Sequence, residues 1–278
     1  MLIIHWVILV LVFIALLACW YFQRYTVKVK RYTVQVNNLP HAFRGFTILQ
    51  LSDLHSKRFG KQQKDLAGLI RQQSFDLVAL TGDFVDKFKR DIVPAVELIE
   101  CLKDKPVYFV PGNHEWRTGF QDKGKLLGLG VHILDNKSEK IVKGGEYIWV
   151  VGVDDPHDGR DRLEEALSGA DALSPKVLLA HSPNIYPKAI NHKVDLVLAG
   201  HTHGGQIRLP FAGAVVAPGQ GLFPKWDYGK YKAGATTMII NPGLGESDLP
   251  IRVNIRPEIG LITLLPGGEG RKRRYKYG

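Results

Sequence analysis

Short apolar runs that end in polar residues recur along most of this 278-residue chain. The runs lie at 46–52, 76–82, 107–112, 148–153, 176–181, 195–200, 236–241 and 259–265. Helix-like stretches near 61–73 and 91–103 separate the first three runs. Strands that alternate with helices at this spacing are typical of βαβ units, and continuous apolar runs are typical of strands buried on both faces. The pattern predicts one α/β domain over residues 32–266, with a central sheet flanked by helices.

Five of these runs are followed by Asp, His or Asn side chains. The side chains are those of Asp53, His55, Asp83, Asn113, His114, His181, His201 and His203. Because ligands bind outside the carboxyl ends of strands in α/β sheets, we expect these side chains to meet at one edge. A single loop Asp or a lone His is usually explained by a turn or a local hydrogen bond. Five successive strand ends of this kind indicate a shared site.

The donor atoms at these positions are carboxylate and amide oxygens and imidazole nitrogens, without any thiolate. Such a set suits Mn, Fe or Zn and disfavours iron–sulfur chemistry. Seven ligands are too many for one ion, but they suffice for two ions that share a carboxylate. Two ions about 3.5–4 Å apart clamp the attacking and leaving oxygens of an in-line displacement. The sequence therefore predicts a phosphoester hydrolase with two divalent metal ions, with Mn expected first and Fe or Zn as alternatives.

The motifs Asp-x-His, Gly-Asp-x-x-Asp, Gly-Asn-His-Glu, a later His and Gly-His-x-His follow one another between residues 53 and 203. This order resembles the calcineurin-like metallophosphoesterases. The resemblance implies a four-layer α/β/β/α sandwich, here preceded by one N-terminal hydrophobic helix. It implies one metal bound by Asp53, His55, Asp83 and His203, and another bound by Asp83, Asn113, His181 and His201. Asp83 would then bridge the two ions.

The same resemblance implies two catalytic residues that do not bind metal. His114 would stabilise the transition state or protonate the leaving oxygen. Asp86 matches the acid that orients this histidine, and Lys87 stands where some branches of the family have Arg.

Two later segments, 204–207 and 241–247, resemble a bacterial membrane-associated branch of the family. That branch includes phosphodiesterases of unassigned substrate and UDP-2,3-diacylglucosamine pyrophosphatases, which release UMP and lipid X during lipid A synthesis. UDP-2,3-diacylglucosamine is therefore the expected substrate. One alternative is a cell-envelope phosphodiesterase or phosphatase that acts on wall polymers or soluble phosphoesters. Another is a non-catalytic membrane scaffold with a structural metal site.

An apolar segment at 2–22 has the length of a bilayer span and is interrupted only by His5. We expect a retained membrane-anchor helix over residues 1–24. A cleaved signal peptide, a lipoprotein signal ending at Cys19 and a buried core helix are the alternatives. The anchor is favoured because a basic n-region is missing and because little in the segment is polar enough to face solvent.

Positive charge is concentrated at the two ends of the sequence. Arg24, Lys28, Lys30 and Arg31 follow the apolar segment, and five more basic residues lie in the tail, 267–278. The positive-inside rule then places the body in the cytoplasm, at the bacterial plasma membrane, with the chain single-pass or peripheral. The tail would contact anionic lipid or be solvated. The remaining 28 basic residues nearly balance 27 acidic ones, so a nucleic-acid partner is not expected.

An apolar loop at 211–226 directly follows the Gly-His-x-His motif and allows two interpretations. In the first, its side chains form a wall beside the site or enter the bilayer to admit acyl chains. In the second, it is a packed hairpin that covers the sheet edge. The side chains concerned are Phe211, Val215, Val216, Leu222, Phe223 and Trp226.

The remaining polar candidates are expected to lie outside the chemistry. Glu115 is expected to support its own loop, and Asp154 and Asp155 are expected to form a loop rather than contact substrate. Surface or packing roles are expected for His5, His41, His132, His157 and His192.

Overall fold

The computed structural model describes residues 2–246 and 249–267. The predicted basic tail, apart from Gly267, and Ser247 of the second branch segment lie outside the described residues. The helices are α1 (Leu2–Tyr25), α2 (Lys64–Arg71), α3 (Val93–Glu100), α4 (Asn113–Arg117), α5 (Lys123–Gly128), α6 (Leu163–Leu167) and α7 (Tyr186–Asn191).

Two six-stranded sheets form the centre of the body. The first contains β1 (Lys28–Val36), β2 (Thr47–Leu51), β3 (Leu77–Thr81), β4 (Val107–Val110), β5 (His132–Ile133) and β16 (Glu258–Pro266) in the order β1-β16-β2-β3-β4-β5. The second contains β6 (Lys137–Lys143), β7 (Glu146–Gly152), β8 (Lys176–Leu179), β9 (Leu196–Ala199), β14 (Gly229–Ala233) and β15 (Thr236–Ile240) in the order β14-β15-β9-β8-β7-β6. Four strands of two residues each lie between β9 and β14: β10 (Arg208–Leu209), β11 (Gly213–Ala214), β12 (Val216–Ala217) and β13 (Gly221–Leu222).

The strands that precede the predicted ligands are parallel and end at the same level. In the first sheet, β2, β3 and β4 run parallel, and the register pairs Leu51 with Leu80 and Thr81 with Val110. In the second sheet, β7, β8, β9 and β15 are parallel neighbours. This register brings the carboxyl ends of both sets of strands to one edge, where the loops that follow them can meet.

Three groups of buried apolar side chains separate the layers. One group fills the space between the sheets and includes Ile48 and Val150. A second, which includes Leu49, packs the outer face of the first sheet against α2, α3 and α5. The third packs α6 and α7 against the outer face of the second sheet. Consecutive residues of β2 thus point to opposite layers, and each fully buried Leu or Ile contributes about 1.5–3 kcal/mol. The predicted four-layer α/β/β/α sandwich is confirmed.

Several elements have no counterpart among the predicted runs. The edge strand β1 pairs in parallel with β16 and begins at Lys28, four residues before the start predicted for the domain. Its burial alternates along Tyr32–Val36, and the cationic residues at its start, Lys28, Lys30 and Arg31, concealed it in the sequence. The strand β7 corresponds to the predicted run 148–153, but its antiparallel partner β6 was not predicted. The short strands β11–β13 lie in the segment 211–226, for which a packed hairpin was one of the two interpretations.

The helix α1 precedes the sandwich, and its apolar side chains are exposed from Ile3 to Phe22. By length and composition, it is the one helix in the described part of the chain that could cross a membrane. A signal sequence near the N-terminus would meet the same criteria.

Candidate metal centre

The residues predicted as ligands come together between the two sheets. Three buried groups of Asp and His side chains each place one potential ligand atom per residue within 4.8 Å of the others. The groups are Asp53, His55 and His203; Asp83, His181 and His201; and His55, Asp86 and His114. Together with Asn113, they include every predicted metal ligand and both predicted catalytic residues.

The backbone at these positions is unusual. Five of the predicted ligands have left-handed conformations, with φ between 48° and 69°: Asp53, His55, Asp83, His201 and His203. Asp and His tolerate this region better than most residues, although each instance costs of order 1–3 kcal/mol unless its surroundings hold it. The strand ends therefore turn sharply and direct successive side chains into the same space.

Two glycines allow the loops to approach this closely. A Cβ atom at Gly112 would collide with the carboxylate of Asp83, and one at Gly200 would collide with Ser52 and with the carboxylate of Asp53. Both glycines directly precede predicted ligands. The motifs therefore require Gly at these positions for the close approach of the loops, just as they require His or Asn for metal binding.

The first group is open at its centre. Asp53 Oδ1 lies 3.6 Å from His203 Nε2 and 3.9 Å from His55 Nε2. His55 Nε2 lies 3.7 Å from Asp83 Oδ2. These separations exceed hydrogen-bond distances but are close to the separation of about 3.4 Å between ligands around one tetrahedral metal ion.

The second group is tighter. His181 Nε2 lies 3.2 Å from Asp83 Oδ2, 3.2 Å from Asn113 Oδ1 and 3.0 Å from His201 Nδ1. His181 Nδ1 lies 2.9 Å from the carbonyl oxygen of Thr81, to which it can donate its proton. That bond leaves the Nε2 lone pair facing the group, which is the usual arrangement of a metal-binding histidine. Asp83 Oδ2 thus lies 3.2 Å from His181 Nε2 in its own group and 3.7 Å from His55 Nε2 in the first group, a position that suits a shared ligand.

Several buried histidine nitrogens lack hydrogen-bond partners, as expected of a site that binds divalent ions. Both ring nitrogens of His55, Nε2 of His201 and Nδ1 of His203 are buried without a hydrogen-bond partner among the described residues. A buried polar atom without a partner costs about 1–3 kcal/mol. Coordination of a cation would satisfy His55, whose Nε2 faces two carboxylates.

The pKa shifts of the histidines also indicate a site for divalent cations. Burial opposes a charge on His181, but the adjacent Asp83 carboxylate raises the pKa of this imidazole well above its usual value. Burial lowers the pKa of both His201 and His203, so these rings are neutral and keep a lone pair for a metal. The site thus draws positive charge to Asp83, as a site for divalent cations should.

His114 lies at the edge of the first group and is held by backbone contacts. Its amide donates to Asp83 Oδ1 at 2.9 Å, and its Nδ1 accepts the backbone N–H of Lys87 at 3.1 Å. Burial lowers the pKa of His114 to about 4. A neutral ring whose Nδ1 accepts a hydrogen bond carries its proton on Nε2, which lies 4.0 Å from Asp83 Oδ2.

Asp86 occupies a different position from the one its predicted role suggests. Its Oδ2 lies 3.9 Å from His114 Nδ1, beyond hydrogen-bond distance, and 3.6 Å from His55 Nδ1. Its Oδ1 accepts the backbone N–H groups of Phe88 and Lys89. Partial burial opposes ionisation, but His55 and these two amides lower the pKa of Asp86 below its usual range. In this structure the backbone of Lys87 orients His114 directly, and Asp86 lies beside both rings.

Glu115 supports more than its own loop. Its carboxylate accepts four backbone N–H groups, from Asp83, Phe84, Val85 and Gly112, at 2.8–3.1 Å. Burial raises the pKa of Glu115 to about 7, against the effect of these donors. Glu115 thereby joins the loop after β3 to the loop after β4.

A cavity of about 160 Å³ opens onto the ligands. Its lining includes His114, Lys87, Arg117 and His157. The structure thus places His157, predicted to have a surface or packing role, in the cavity wall, with its ring 4.4 Å from that of His201.

The position of His157 depends on the loop after β7. Asp155 accepts the backbone N–H groups of His157 and Asp158, and Asp154 binds Trp116 Nε1 and Arg160. The predicted loop role of these acids is what the structure shows. Sequence reasoning missed His157 because this loop follows a strand of the second sheet without any recognisable motif.

The loop at 211–226 divides into an exposed and a packed part. Phe211, Val216, Leu222 and Phe223 are exposed, whereas Trp226 packs on Tyr186 with ring centroids 5.9 Å apart. The tip of the β12–β13 hairpin, Pro218 and Gly219, lines the cavity.

The end of α1 contacts the loop that follows β15. Arg24 Nε lies 3.2 Å and Lys57 Nζ 2.6 Å from Glu246 Oε1. Lys57 also donates to the carbonyl of Arg24, and Trp20 Nε1 donates to the carbonyl of Pro250 at 3.2 Å. Burial lowers the pKa of Lys57 to about 8, against the effect of Glu246.

The same loop contacts the metal ligands. The buried guanidinium of Arg252 donates to the carbonyls of Pro242, Gly243 and Gly245. Gly243 packs directly on the side chain of Asp53. The apolar helix and the first ligand group are therefore both in contact with the loop that follows β15.

The fold and the ligand set agree with the results of sequence comparison. The family profile described as calcineurin-like phosphoesterase matches residues 46–205. The chain belongs to the calcineurin-like metallophosphoesterase family, whose members are phosphoesterases that use divalent metals. The clustered His and Asp groups could form a binuclear site of this kind.

Relatives of similar sequence occur in bacteria and vertebrates. The chain is 29% identical over 255 residues to an uncharacterised metallophosphoesterase, YkuE, of Bacillus subtilis (strain 168), with 88% of this chain and 87% of the relative covered. It is 31% identical over 235 residues to the phosphodiesterase YaeI of Escherichia coli (strain K12), with 79% and 82% covered. It is 30% identical over 256 residues to a transmembrane protein with metallophosphoesterase domain of Danio rerio, with 85% and 57% covered. The apolar helix and this relative indicate that the chain associates with a membrane.

Proposed function

We propose that this protein hydrolyses a phosphodiester or pyrophosphate bond in a substrate held at a membrane surface. The observation that carries the proposal is the position of Asp83 Oδ2, which lies close to a buried histidine of each ligand group, 3.7 Å from His55 Nε2 and 3.2 Å from His181 Nε2. The cavity beside these groups has cationic and imidazole side chains that suit a phosphate. The loop that contacts both α1 and Asp53 supports a substrate at the membrane.

Divalent ions fit the ligands that the chain provides. Asp53, His55, Asp83 and His203 would hold one ion, and Asp83, Asn113, His181 and His201 would hold the other. Two such ions, when bound, neutralise phosphoryl charge and lower the pKa of the attacking water. Nitrogen and oxygen donors suit Mn, and Fe or Zn are the alternatives.

His114 is positioned to act on the leaving group. Its Nε2 carries a proton, because Nδ1 accepts the amide of Lys87. As the bond between phosphorus and the leaving oxygen breaks, Nε2–H donates a hydrogen bond to that oxygen and stabilises the negative charge that develops there. Such a donor contributes about 10²–10³-fold to the rate.

Arg117 and His157 would bind the rest of the phosphate-bearing substrate. Arg117 lies at the end of α4, three residues after His114, and its exposed side chain lines the cavity. Guanidinium groups bind phosphate oxygens in pairs. His157 lies on the opposite side, against His201 and the hairpin tip at Gly219.

UDP-2,3-diacylglucosamine is the specific substrate we propose, cleaved to UMP and lipid X. It carries a pyrophosphate and two acyl chains, so it would present the scissile bond to a cavity near the bilayer. The resemblance of segments 204–207 and 241–247 to the membrane-associated branch supports this choice.

The test is turnover by Mn-loaded protein in detergent micelles, with UDP-2,3-diacylglucosamine and bis-p-nitrophenyl phosphate assayed side by side. UMP released much faster than nitrophenol would support the lipid pyrophosphatase. Release of nitrophenol without release of UMP would support a metal-dependent hydrolase but would exclude UDP-2,3-diacylglucosamine as its substrate. Turnover of neither compound after loading with Mn, Fe or Zn would contradict the proposed hydrolase.

The orientation of the body would separate this function from an envelope phosphodiesterase. We propose that the body faces the cytoplasm, because exposed Lys28 and Lys30 directly follow α1. Green fluorescent protein fused after residue 278 should fluoresce, whereas alkaline phosphatase fused there should be inactive. The reverse pattern would point to substrates outside the cytoplasm.

A further inference from the structure

A second surface of the molecule has no role in the proposed hydrolysis. Six exposed apolar side chains form what we call the apolar platform. They are Leu209, Phe211, Leu222, Phe223, Leu249 and Ile251. Each is at least 38% exposed, and Phe211 is fully exposed. Soluble surfaces rarely concentrate large apolar side chains in this way without a partner.

The segments that carry the platform are neighbours in the fold, although they come from separate parts of the sequence. Ile207 pairs with Val253 in a parallel bridge, and the side chain of Gln206 donates to the carbonyl of Leu249 at 2.9 Å. On the other side, Val215 donates to the carbonyl of Ile207. Phe223 in turn donates its backbone N–H to the carbonyl of Val215 at 2.9 Å. Backbone hydrogen bonds thus hold three segments side by side.

One edge of the platform lies against α1. The Trp20 indole donates to the carbonyl of Pro250, which stands between Leu249 and Ile251. Trp20 lies five residues before the end of α1, or about 7–8 Å along the helix axis. Tryptophan near the end of an apolar helix is typical of the membrane interface. Pro250 therefore lies at the level at which α1 would enter the bilayer.

Cationic side chains mark the same level. The Arg24 guanidinium lies 4.5 Å from the ring centroid of Trp20, and that of Arg256 lies 4.6 Å from the ring centroid of Phe22. Basic residues at this position suit the phosphate groups of lipids. An apolar surface bordered by cations and joined to an apolar helix has the character of a membrane-binding surface.

We propose that the apolar platform inserts into the interface of a phospholipid bilayer beside α1. Phe211 and Phe223 would enter the boundary between head groups and acyl chains, while Leu249 and Ile251 would continue the contact to the helix. The β12–β13 hairpin then spans from the bilayer to the metal centre, because its tip at Gly219 lines the cavity while Leu222 at its end belongs to the platform. This contact with lipid does not depend on which substrate is hydrolysed.

The test uses the full chain in vesicles of phosphatidylcholine and phosphatidylglycerol. In a background with Cys19→Ala and Cys101→Ala, single cysteines are introduced as Phe211→Cys and Leu222→Cys and labelled with an environment-sensitive nitrobenzoxadiazole dye. Leu173→Cys is the matched control, because Leu173 is also exposed and apolar. It lies just before the amino end of β8, whereas the carboxyl end of that strand leads to His181 in the metal centre. Spin-labelled lipid then reports contact of the dye with acyl chains.

Insertion predicts blue-shifted emission at both platform positions and quenching at least about twofold greater than at position 173. Quenching equal to the control would overturn the proposal. A blue shift without quenching by lipid would also overturn it, since a protein partner or a second copy of the chain would then cover the platform. The thermal unfolding transition of each variant shows that it is folded. The readout needs no turnover, so failure of the proposed hydrolysis would not affect it.

Discussion

The metal centre and the apolar platform lie on the same side of the molecule but are built in opposite ways. The metal centre places polar atoms where water is excluded, on loops that follow strands of two sheets. The platform leaves apolar side chains in contact with solvent, on two-residue strands and a turn. Each arrangement costs free energy by itself. Each therefore indicates a missing partner, which is a cation in the first case and a lipid in the second.

The difference predicts how the two regions respond to mutation. Changes in the metal centre should reduce hydrolysis of every phosphodiester, because all substrates need the same charge stabilisation. Changes in the platform should reduce hydrolysis only when the substrate is embedded in a membrane. The following variants test this distinction, beginning with the largest expected effect.

Asp83→Asn should lower kcat/KM by more than about 10³-fold for every substrate, since bound metal contributes several kcal/mol to the transition state. The carboxylate that lies between the two ligand groups becomes a neutral amide. Steady-state kinetics and plasma mass spectrometry of bound metal would measure the effect. Asp91→Asn, which removes only an exposed ion pair with Arg58, is the control. Retention of activity within tenfold would exclude a bridging role.

His114→Ala should lower kcat by about 10²–10³-fold while the bound metal content stays unchanged. The variant removes the Nε2–H donor without removing a metal ligand. His192→Ala, at a partly exposed histidine near Glu164, should behave like the wild type. A normal kcat in the His114 variant would remove this residue from the mechanism.

Asp86→Asn should have a smaller effect, about 10–100-fold in kcat, because the Lys87 amide still orients His114. Comparison of the pH profiles of kcat for the two variants would separate their roles. If Asp86 held the ring directly, the two variants would lose activity equally.

Phe211→Ser combined with Phe223→Ser should have the most selective effect. Hydrolysis of soluble bis-p-nitrophenyl phosphate should stay within about twofold of wild type, because neither side chain reaches the ligands. Hydrolysis of a lipid-embedded phosphodiester in vesicles should fall at least about tenfold, since burial of one Phe is worth about 1.5–3 kcal/mol and about 1.4 kcal/mol corresponds to tenfold. Leu173→Ser should change neither rate. Equal losses of activity on both substrates would show that the platform does not act selectively on membrane-embedded substrates.

Much of the metal centre could be predicted because its residues follow strands whose apolar runs are visible in the sequence. Asp53, Asp83 and Asn113 all come directly after such runs. Arg117 and His157 could not be placed in the cavity, because their positions depend on packing between loops rather than on local patterns. The direct contact of Lys87 with His114 was hidden for another reason. It uses a backbone amide, which every residue except proline has.

The platform shows the limit of sequence reasoning more clearly. The apolar composition of 211–226 left both insertion and packing open, and only the fold separated exposed Phe211 from packed Trp226. The contribution of Leu249 and Ile251 was not predicted, since they lie about 40 residues from Phe211 in the sequence. Their contact with α1 through Trp20 and Pro250 joins segments that are 230 residues apart in the sequence.

By itself, the sequence predicted the α/β class and the apolar helix from local spacing and composition. Its ordered motifs carried the resemblance to the family, and that resemblance implied the four layers and the ligand residues. The tertiary structure alone decided that one oxygen of Asp83 lies close to histidines of both ligand groups, that a backbone amide orients His114, and that the platform lies beside α1. These features depend on distances between residues that are far apart in the chain. Such distances are set by the packing of the two sheets and their loops, and no local pattern records them.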